Sequence, residues 1–258
     1  MTTSVRIRDR VLGEGRPAVI VPLTAAEEPA LLSAAGSLAG HDVDLVEWRL
    51  DRFRPELPVE QLGAAVAAAL PVLRAALDEA GIAAAPLLLT LRTAAEGGDR
   101  ELSDAGYREL LLSLIPVPAV ELVDVEAFRD PAVVAELVAA AHEAGTVVVG
   151  SNHDFAATPP QAEIERRLRA MHARGLNVAK IAVMPQSPAD VIALLAATVA
   201  VAPEGPVITM SMGRLGTVTR VAGEVFGSAA TFGTVGEASA PGQIPADVLS
   251  RTMDLLAP

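Results

Sequence analysis

The sequence predicts an α/β fold of a single domain, a (β/α)8 barrel spanning residues 1–258. Short runs of Val, Ile and Leu alternate with longer Ala-rich segments along the chain, as in proteins built from alternating strands and helices. The strand segments are almost continuously apolar, which is typical of parallel strands covered by helices. A doubly wound open sheet shares this alternation. Eight strand segments, 258 residues and no break in composition favour the barrel.

The predicted elements begin with an N-terminal hairpin over residues 1–17, in which Val5-Arg-Ile-Arg8 precedes a glycine-rich turn at Gly13-Glu-Gly15. The eight barrel strands are predicted at Ala18–Leu23, Val43–Trp48, Leu87–Arg92, Val120–Val125, Thr146–Gly150, Val178–Val183, Pro206–Ser211 and Val225–Phe232. Helices are predicted around Glu27–Ala39, Val59–Ala80, Asp104–Leu114, Pro131–Ala144, Pro159–Arg174, Pro188–Val201 and Pro245–Leu256.

Several predicted helices begin with recognisable start signals. In the capping-box pattern, a hydroxyl residue is followed three positions later by a side chain that can accept a hydrogen bond from the backbone N–H of the hydroxyl residue. Proline suits the first helical position because the N–H that it lacks would have no partner there. The capping pattern occurs at Thr24–Glu27, Thr158–Gln161 and Ser187–Asp190, and the prolines are Pro131, Pro159 and Pro188.

Composition excludes several classes of partner. The chain has 20 basic and 32 acidic side chains, a formal net charge of −12, so we expect neither nucleic acid nor an anionic membrane as a partner. The longest apolar stretch, near Val191–Ala202, is shorter than the roughly 18 residues that a membrane span needs. Met1–Arg10 is polar and shows no signal peptide. We therefore expect a soluble cytoplasmic protein.

Missing residue types and motifs restrict the chemistry further. The chain has no cysteine, which excludes disulfides, thiolate catalysis and cysteine metal clusters. The histidines are not spaced as a metal pair, and Walker, dinucleotide-binding, nucleophile-elbow and zinc-protease motifs are absent. We expect no metal site and no cofactor.

Polar residues collect where the predicted strands end, and this is the end at which barrels of this type carry their chemistry. The second strand ends in Glu47-Trp-Arg-Leu-Asp51, the third in Arg92-Thr-Ala-Ala-Glu96, the fourth in Asp124-Val-Glu126 and the fifth in Ser151-Asn-His-Asp154. Lys180 lies within the sixth strand, and Arg214 and Arg220 follow the seventh.

Lys180 is the most informative of these residues, because it is the only lysine and the other 19 basic residues are arginines. Burial in a core strand would lower the pKa of its amine, as a Schiff-base nucleophile requires. The alternative is a structural ion pair with Asp124 or Glu126. An arginine cannot lose its proton in a protein, so the single lysine indicates that this position needs an amine that can lose its proton.

His153 follows directly from the fifth strand, next to the strand that carries Lys180. It is either a hydrogen-bonded core histidine or a general base across the mouth of the barrel. Arg49, Arg92 and Arg220 have two interpretations of similar weight. They are either ion-pair partners of Glu47, Asp51 and Glu96 or bidentate ligands of an anionic substrate.

From about Pro17 to Leu249 the chain resembles the type I 3-dehydroquinate dehydratases. Seven segments in one order carry this resemblance, which makes it far more specific than any single motif. The segments are Val46–Asp51, Thr90–Gly98, Asp124–Glu126, Gly150–Phe155, Ala179–Pro185, Gly223–Phe232 and Ala238–Gln243.

The resemblance implies a (β/α)8 barrel, usually a homodimer, that converts 3-dehydroquinate to 3-dehydroshikimate in the shikimate pathway. It implies that Lys180 forms an imine with the C3 ketone of the substrate, that His153 is the general acid and base, and that Glu96 orients the histidine. The remaining implied ligands are Arg220, Ser239 and Gln243 for the carboxylate, and Glu47, Arg49 and Arg92 for the ring hydroxyls.

The glycine-rich segment Gly223–Gly242 could be a phosphate cradle, but its sequence suits a final strand followed by a lid better. We predict the active-site lid loop at residues 233–243.

Two positions depart from the family pattern. Pro22 stands where many members of the family carry a hydroxyl residue, and Asn177 stands where an aspartate is common. Two other functions remain open: a class I aldolase-like lyase, which would share the lysine, and a non-catalytic anion-binding barrel, which would not need Lys180, His153 and Glu96 together.

Overall fold

The computed structural model of the chain describes residues 4–236 and 242–256. Within them, β1 (Val5–Ile7) and β2 (Arg10–Leu12) form an antiparallel hairpin. The strands that follow are β3 (Ala18–Leu23), β4 (Leu45–Arg49), β5 (Leu87–Thr90), β6 (Leu122–Glu126), β7 (Val147–Asp154), β8 (Val178–Val183), β9 (Val207–Ser211), β10 (Ala230–Thr234) and β11 (Ile244–Pro245). The helices are α1 (Glu28–Gly36), α2 (Val59–Glu79), α3 (Asp104–Leu114), α4 (Pro131–Ala144), α5 (Gln161–Ala173), α6 (Pro188–Val201), α7 (Thr217–Val221), α8 (Gly223–Phe226) and α9 (Ala246–Leu256).

Strands β3 to β10 are parallel and close into a barrel. Each of β3 to β8 pairs with the next strand in sequence, and β10 pairs with β3. The ring is completed just before β10, where Ser228 bridges to Val207 in parallel and the Ala229 N–H donates to the Val207 carbonyl at 2.7 Å. The predicted (β/α)8 barrel is therefore confirmed, together with the N-terminal hairpin.

The interior of the barrel is layered from apolar to polar. Side chains two residues apart on a strand point to the same face of the sheet. On each of five consecutive strands, an inward-facing apolar residue is followed two positions later by an inward-facing polar residue. The pairs are Leu45 and Glu47, Leu88 and Thr90, Leu122 and Asp124, Val149 and Ser151, and Val178 and Lys180.

The hairpin closes the amino-terminal end of the barrel. Ile7 and Leu12 are buried in the same apolar cluster as Ile20, Leu45 and Leu88, which point into the barrel. Apolar side chains therefore fill the barrel beneath the polar layer, and in residues 4–236 and 242–256 the barrel is open at the carboxyl ends of its strands.

The helices cover the outside of the sheet with a second apolar cluster. The longest, α2, buries Leu62, Val66, Leu70, Leu73 and Leu77 on one face. By length and composition alone, α2 is apolar enough to cross a membrane. Its apolar residues instead form a buried stripe that packs against the barrel, as in an amphipathic helix on a sheet.

Several local predictions were wrong at element ends. Val225 and Phe226 belong to α8 rather than to a strand, because Gly227, at φ +89°, ends that short helix before β10 begins. Helix α7, which no sequence pattern indicated, precedes it.

Only one of the three predicted capping boxes is confirmed. In it, the Asp190 carboxylate accepts the Ser187 N–H at 2.9 Å. Helix α1 begins at Glu28 and α5 begins at Gln161 after Pro160, and neither has a side-chain cap.

We predict that Leu12→Ala destabilises the fold without altering the open end of the barrel. Leu12 is 1% exposed inside the barrel, and such a truncation lowers the free energy of unfolding by about 2–4 kcal/mol. Urea denaturation would measure this loss. The neighbouring Val11→Ala, at a partly exposed position, is the matched control and should cost much less. Equal costs for the two variants would contradict the role of Leu12 in closing the barrel.

Candidate active site

A cavity of about 230 Å³ opens at the carboxyl ends of the barrel strands. Of the nine site residues predicted from sequence, it brings together eight; the ninth, Ser239, lies outside the described residues. The eight are Glu47, Arg49, Arg92, Glu96, His153, Lys180, Arg220 and Gln243. They come from four strands or strand ends (β4, β5, β7 and β8), helix α7 and the residue before β11, so only closure of the barrel makes them neighbours.

Lys180 lies in the polar layer of the barrel and is 4% exposed. Its Nζ is 3.6 Å from Asp124 Oδ2, 4.0 Å from Glu47 Oε1 and 4.5 Å from the centre of the Phe232 ring. Burial lowers the pKa of Lys180, and the charges of Asp124 and Glu47 oppose this only in part. The amine is therefore easier to deprotonate than an exposed lysine, which is the property that a nucleophilic lysine needs.

His153 and Glu96 form a hydrogen-bonded pair on the other side of the cavity. Nδ1 of His153 lies 2.9 Å from Glu96 Oε2, and the His153 backbone N–H donates to the same oxygen at 3.1 Å. Since a carboxylate accepts, we assign the proton to Nδ1, which leaves Nε2 as an acceptor. Burial, together with the positive charges of Arg92 and Lys180, lowers the pKa of His153 well below its usual value. The imidazole is thus held neutral and ready to accept a proton.

The Glu96 carboxyl is itself perturbed. Burial raises its pKa to about 7; Arg92 opposes this rise, while Glu126 and Asp124 add to it. Its other oxygen accepts a hydrogen bond from Asn152 Nδ2 at 3.3 Å. Glu96 can therefore carry a proton near neutral pH, whereas the imidazole of His153 stays neutral.

The loop that carries Glu96 depends on a glycine. Gly97 has φ +82°, and a Cβ atom there would lie 2.3 Å from the Phe155 ring. The Phe155 ring in turn stacks on His153 with a centroid separation of 6.4 Å. Gly97 therefore allows Phe155 to lie over the His153–Glu96 pair at the rim of the cavity.

Arg49 and Arg92 are bound to carboxylates of the barrel. Arg49 makes two hydrogen bonds of 2.8 Å to the buried Asp51. Arg92 donates to Asp124 Oδ1 at 2.8 Å, to Glu126 at 3.2 Å and to Glu96 at 3.4 Å. These contacts bear out the ion-pair interpretation for both arginines, while both also line the cavity.

Arg220 and Gln243 approach the cavity from the segments around β10. Arg220 is 1% exposed, its Nη1 donates to the Phe232 carbonyl at 3.4 Å, and burial lowers its pKa to about 10. Helix α7 brings it there because Gly216 lets the preceding turn close on β9; a Cβ at Gly216 would lie 2.1 Å from the Ser211 carbonyl oxygen. Gln243 is placed by β11, which pairs with the end of β10.

Several residues of the site were not predicted from the sequence. Thr90 and Ser151 were not singled out, although the two-residue alternation along their strands places them on the inward face with Glu47 and Lys180. Asp124 was considered only as an ion-pair partner of Lys180. Phe155 and Phe232 each end a segment that carries the family resemblance, but no role was predicted for either, because their positions depend on neighbouring loops and strands. The methionines of the cavity, Met210 and Met212, were also missed.

The two departures from the family pattern have different structural settings. Asn177 accepts the Val148 N–H at 2.8 Å through Oδ1, an interaction that an aspartate oxygen would make equally well. Pro22 lies opposite Glu47 in the pairing of β3 with β4, so it borders the polar layer with an apolar ring.

Together, the closed barrel, the buried lysine and the histidine–glutamate pair around one cavity define a (β/α)8-barrel enzyme that acts on a small molecule. The type I 3-dehydroquinase family model matches residues 19–257. The 3-dehydroquinate dehydratase of Klebsiella pneumoniae subsp. pneumoniae is 45% identical over 260 residues, which cover 100% of both chains. That of Syntrophotalea carbinolica is 46% identical over 256 residues and 98% of each chain.

Solved structures agree with these matches. The type I 3-dehydroquinate dehydratase from Clostridium difficile is 38% identical and superposes with a TM-score of 0.89, covering 98% of this chain and 97% of its own. The 3-dehydroquinate dehydratase from Geobacillus kaustophilus is 34% identical with a TM-score of 0.89, covering 99% and 98%. The chain belongs to the type I 3-dehydroquinase family.

We predict that Glu96→Gln stabilises the fold increasingly as the pH rises. Because the folded pKa of Glu96, about 7, exceeds its ordinary value of 4.5, the folded protein binds the extra proton between these values. The free energy of unfolding therefore falls as the pH rises through this window. Above pH 7 the ionised wild-type carboxyl carries a penalty on the order of 3 kcal/mol, which the amide lacks.

Urea denaturation at pH 5 and pH 8 tests this expectation. The stability difference between Glu96→Gln and wild type should shift in favour of the variant at pH 8. Glu143→Gln, at an exposed position on α4, is the matched control and should show no such shift. A Glu96→Gln difference that is the same at both pH values would contradict the raised pKa.

Proposed function

We propose that this chain dehydrates 3-dehydroquinate to 3-dehydroshikimate in the shikimate pathway (EC 4.2.1.10), through a Schiff base at Lys180 with His153 as general acid and base. The observation that carries the proposal is a buried lysine of lowered pKa in the same cavity as a neutral, hydrogen-bonded histidine. The relatives that share 45% and 46% identity with nearly the whole chain are 3-dehydroquinate dehydratases. No other substrate class has comparable support.

The first step joins Lys180 to the C3 ketone. The neutral amine attacks the carbonyl carbon, the proton that the ammonium gave up returns to the adduct, and loss of water then leaves a protonated imine. Burial favours this step because it lowers the pKa of the amine. The Clostridium difficile relative was solved with covalent modified comenic acid, which supports covalent chemistry in this family of sites.

The second step uses His153. The protonated imine withdraws electrons and acidifies the neighbouring C2–H, so Nε2 of the neutral imidazole can remove that proton. The resulting enamine expels the hydroxyl at C1, and the imidazolium supplies the proton with which it leaves as water. Glu96 holds the ring in the required tautomer through the 2.9 Å contact to Nδ1.

The arginines of the cavity provide a positive surface for the substrate. We assign the substrate carboxylate to Arg220, helped by Gln243 and Ser239, and the ring hydroxyls to Glu47, Arg49 and Arg92. Arg220 suits an anion because it is buried, where a charge–charge contact is weakly screened. We assign the lid to the loop within residues 233–243. Of these, Gly233 and Thr234 belong to β10 rather than to a loop, and 237–241 lie outside the described residues. No metal or cofactor is part of the proposal.

Two alternatives are less well supported. A class I aldolase-like lyase would use the lysine but would have little use for the His153–Glu96 pair. A non-catalytic anion-binding barrel would need the arginines, yet it would not need a buried lysine of lowered pKa beside a neutral histidine. The geometry that joins Lys180 to His153 and Glu96 around one cavity favours the dehydratase.

Borohydride trapping tests the proposed function directly. We expect that 3-dehydroquinate and borohydride add one reduced substrate to the intact protein, as measured by mass spectrometry. Lys180 is the only lysine, so a side-chain adduct has one position, and peptide mapping separates it from the α-amine of Met1. Lys180→Met is the control and should show no side-chain adduct. Absence of both an adduct and a rise in enone absorbance in the wild type would sink the proposal.

We predict that His153→Ala separates the two steps. Imine formation should persist because Lys180 is intact, whereas the enone product should form at least 100-fold more slowly without the general base. Trapping by borohydride measures the first step and ultraviolet absorbance measures the second. Full turnover by this variant would remove His153 from its proposed role.

We further propose that the chain is a cytoplasmic homodimer. Apolar side chains are exposed on neighbouring helices, at Ile192 and Val199 of α6, Val218 of α7 and Val225 of α8. From Val191 to Val201, α6 has no charged residue, and such a surface suits a subunit interface. Sedimentation should give about twice 26.6 kDa, and Ile192→Glu should shift the mass towards one chain. A wild-type protein that sediments as a single chain would contradict the homodimer.

A further inference from the structure

We propose that Asp124 is a positioning residue for the reaction and acts as the counter-ion of the imine at Lys180. Its Oδ2 accepts a hydrogen bond from the imine N–H and thereby keeps the imine protonated. This inference rests on the proposed function, because it concerns the intermediate formed at Lys180. It adds a residue that the family resemblance did not assign to the site.

The two carboxylate oxygens of Asp124 have different surroundings. Asp124 is 0% exposed. Its Oδ1 accepts hydrogen bonds from Ser151 Oγ at 2.6 Å and from Arg92 Nη2 at 2.8 Å. Among the described residues, no donor makes a hydrogen bond to Oδ2, although Lys180 Nζ lies 3.6 Å from it.

A buried carboxylate oxygen without a donor is unusual, because buried polar groups are nearly always hydrogen-bonded. A chemical event that brings a donor to Oδ2 would therefore be favoured. The nitrogen of Lys180 is the group whose geometry changes during the proposed reaction. A small movement of Nζ from 3.6 Å to hydrogen-bond distance would satisfy Oδ2.

The proton balance fits a single acceptor. An ammonium and a ketone together give an iminium and one water, so the three ammonium protons become one N–H and the two protons of water. The nitrogen is positively charged at the start, as an ammonium, and at the end, as an iminium. The amine that attacks between these two states is neutral. One N–H requires one acceptor, and Oδ2 of Asp124 is the oxygen near Lys180 that is not already occupied.

Glu47 is the other carboxylate near the lysine, and it is the weaker candidate. Its Oε1 already accepts a hydrogen bond from Thr90 Oγ1 at 2.8 Å and lies 4.0 Å from Nζ. Asp124 also stays ionised. Although burial opposes its ionisation, Arg92, Lys180 and the Ser151 hydrogen bond together lower its pKa.

Other titratable groups surround this pair and affect both partners. Arg92 forms ion pairs with three carboxylates, those of Asp124, Glu96 and Glu126, which balance much of its charge. The groups that face Lys180 or Asp124 from the packed elements are Glu47 and Arg49 on β4, Arg92 after β5, Glu96 beyond it, Glu126 on β6, His153 on β7 and Tyr107 on α3.

Asp124→Asn tests the counter-ion role. It removes the negative charge while keeping the shape of the side chain. The loss of this charge should lower the pKa of the iminium, so the alkaline limb of kcat should move down by at least one pH unit, with a tenfold or greater loss of kcat at pH 8. Borohydride trapping at pH 6 should still give the Lys180 adduct.

Glu47→Gln is the matched control, because it makes the same change at the other carboxylate near Nζ. We expect it to raise KM through lost contacts to the substrate and to move the alkaline limb by less than Asp124→Asn does, because Oε1 lies farther from Nζ and already accepts a hydrogen bond from Thr90. A limb that moves with Glu47→Gln and not with Asp124→Asn would overturn the assignment.

A measurement on the wild type avoids any dependence on how the variant folds. Protein labelled with ¹⁵N-lysine has one side-chain resonance, because Lys180 is the only lysine. In the complex with 3-dehydroquinate, the ¹⁵N shift should stay that of a protonated imine up to pH 9. A neutral-imine shift at pH 8 would overturn the inference.

These results separate the inference from the function on which it rests. No adduct on wild-type Lys180 would refute the proposed function and the inference together. An adduct on both wild type and Asp124→Asn, with an unchanged alkaline limb, would refute the role of Asp124 alone.

Discussion

The placement of one amine inside a closed barrel is the constraint on which the rest of the site depends. Lys180 is 4% exposed, and an isolated ammonium at such a position would be costly to bury. Carboxylates must therefore lie nearby, and those carboxylates in turn need cations. The structure meets this need with alternating charges. Lys180 faces Asp124, Asp124 binds Arg92, and Arg92 binds Glu96, which holds His153.

This chain of charges connects the two halves of the proposed chemistry. Arg92 contacts carboxylates on both sides and is itself buried, so the strong pairing raises its pKa although burial alone would lower it. Arg92 is a permanently charged group that binds both Asp124, beside Lys180, and Glu96, beside His153. It therefore fixes the positions of these two carboxylates relative to each other. This pairing of charges also explains how several cationic side chains line one cavity on a chain with net charge −12: carboxylates inside the barrel pair with Arg49, Arg92 and Lys180.

The apolar parts of the structure determine where this network can exist. Leucine, isoleucine and valine fill the barrel below the polar layer, and the N-terminal hairpin closes that end. Within the described residues, the cavity beside this network opens at the carboxyl ends of the strands. At that rim, Phe155 lies over His153 because Gly97 leaves room for its ring. Exclusion of water keeps the pKa values of Lys180 and His153 low, which is the condition for a nucleophile and a base near neutral pH.

The sequence by itself determined the features that depend on local periodicity and on residue type. The alternation of apolar runs and Ala-rich segments predicted the barrel, and the polar residues at strand ends predicted Lys180, His153, Glu96 and the arginines. Only the tertiary structure decided which groups pair: that Arg92 binds three carboxylates, that Asp124 leaves one oxygen without a donor, and that Phe155 covers His153. The physical reason is that inward-facing positions follow from the two-residue period of one strand. Contacts between strands depend instead on their relative register and on closure of the barrel, which no local segment encodes.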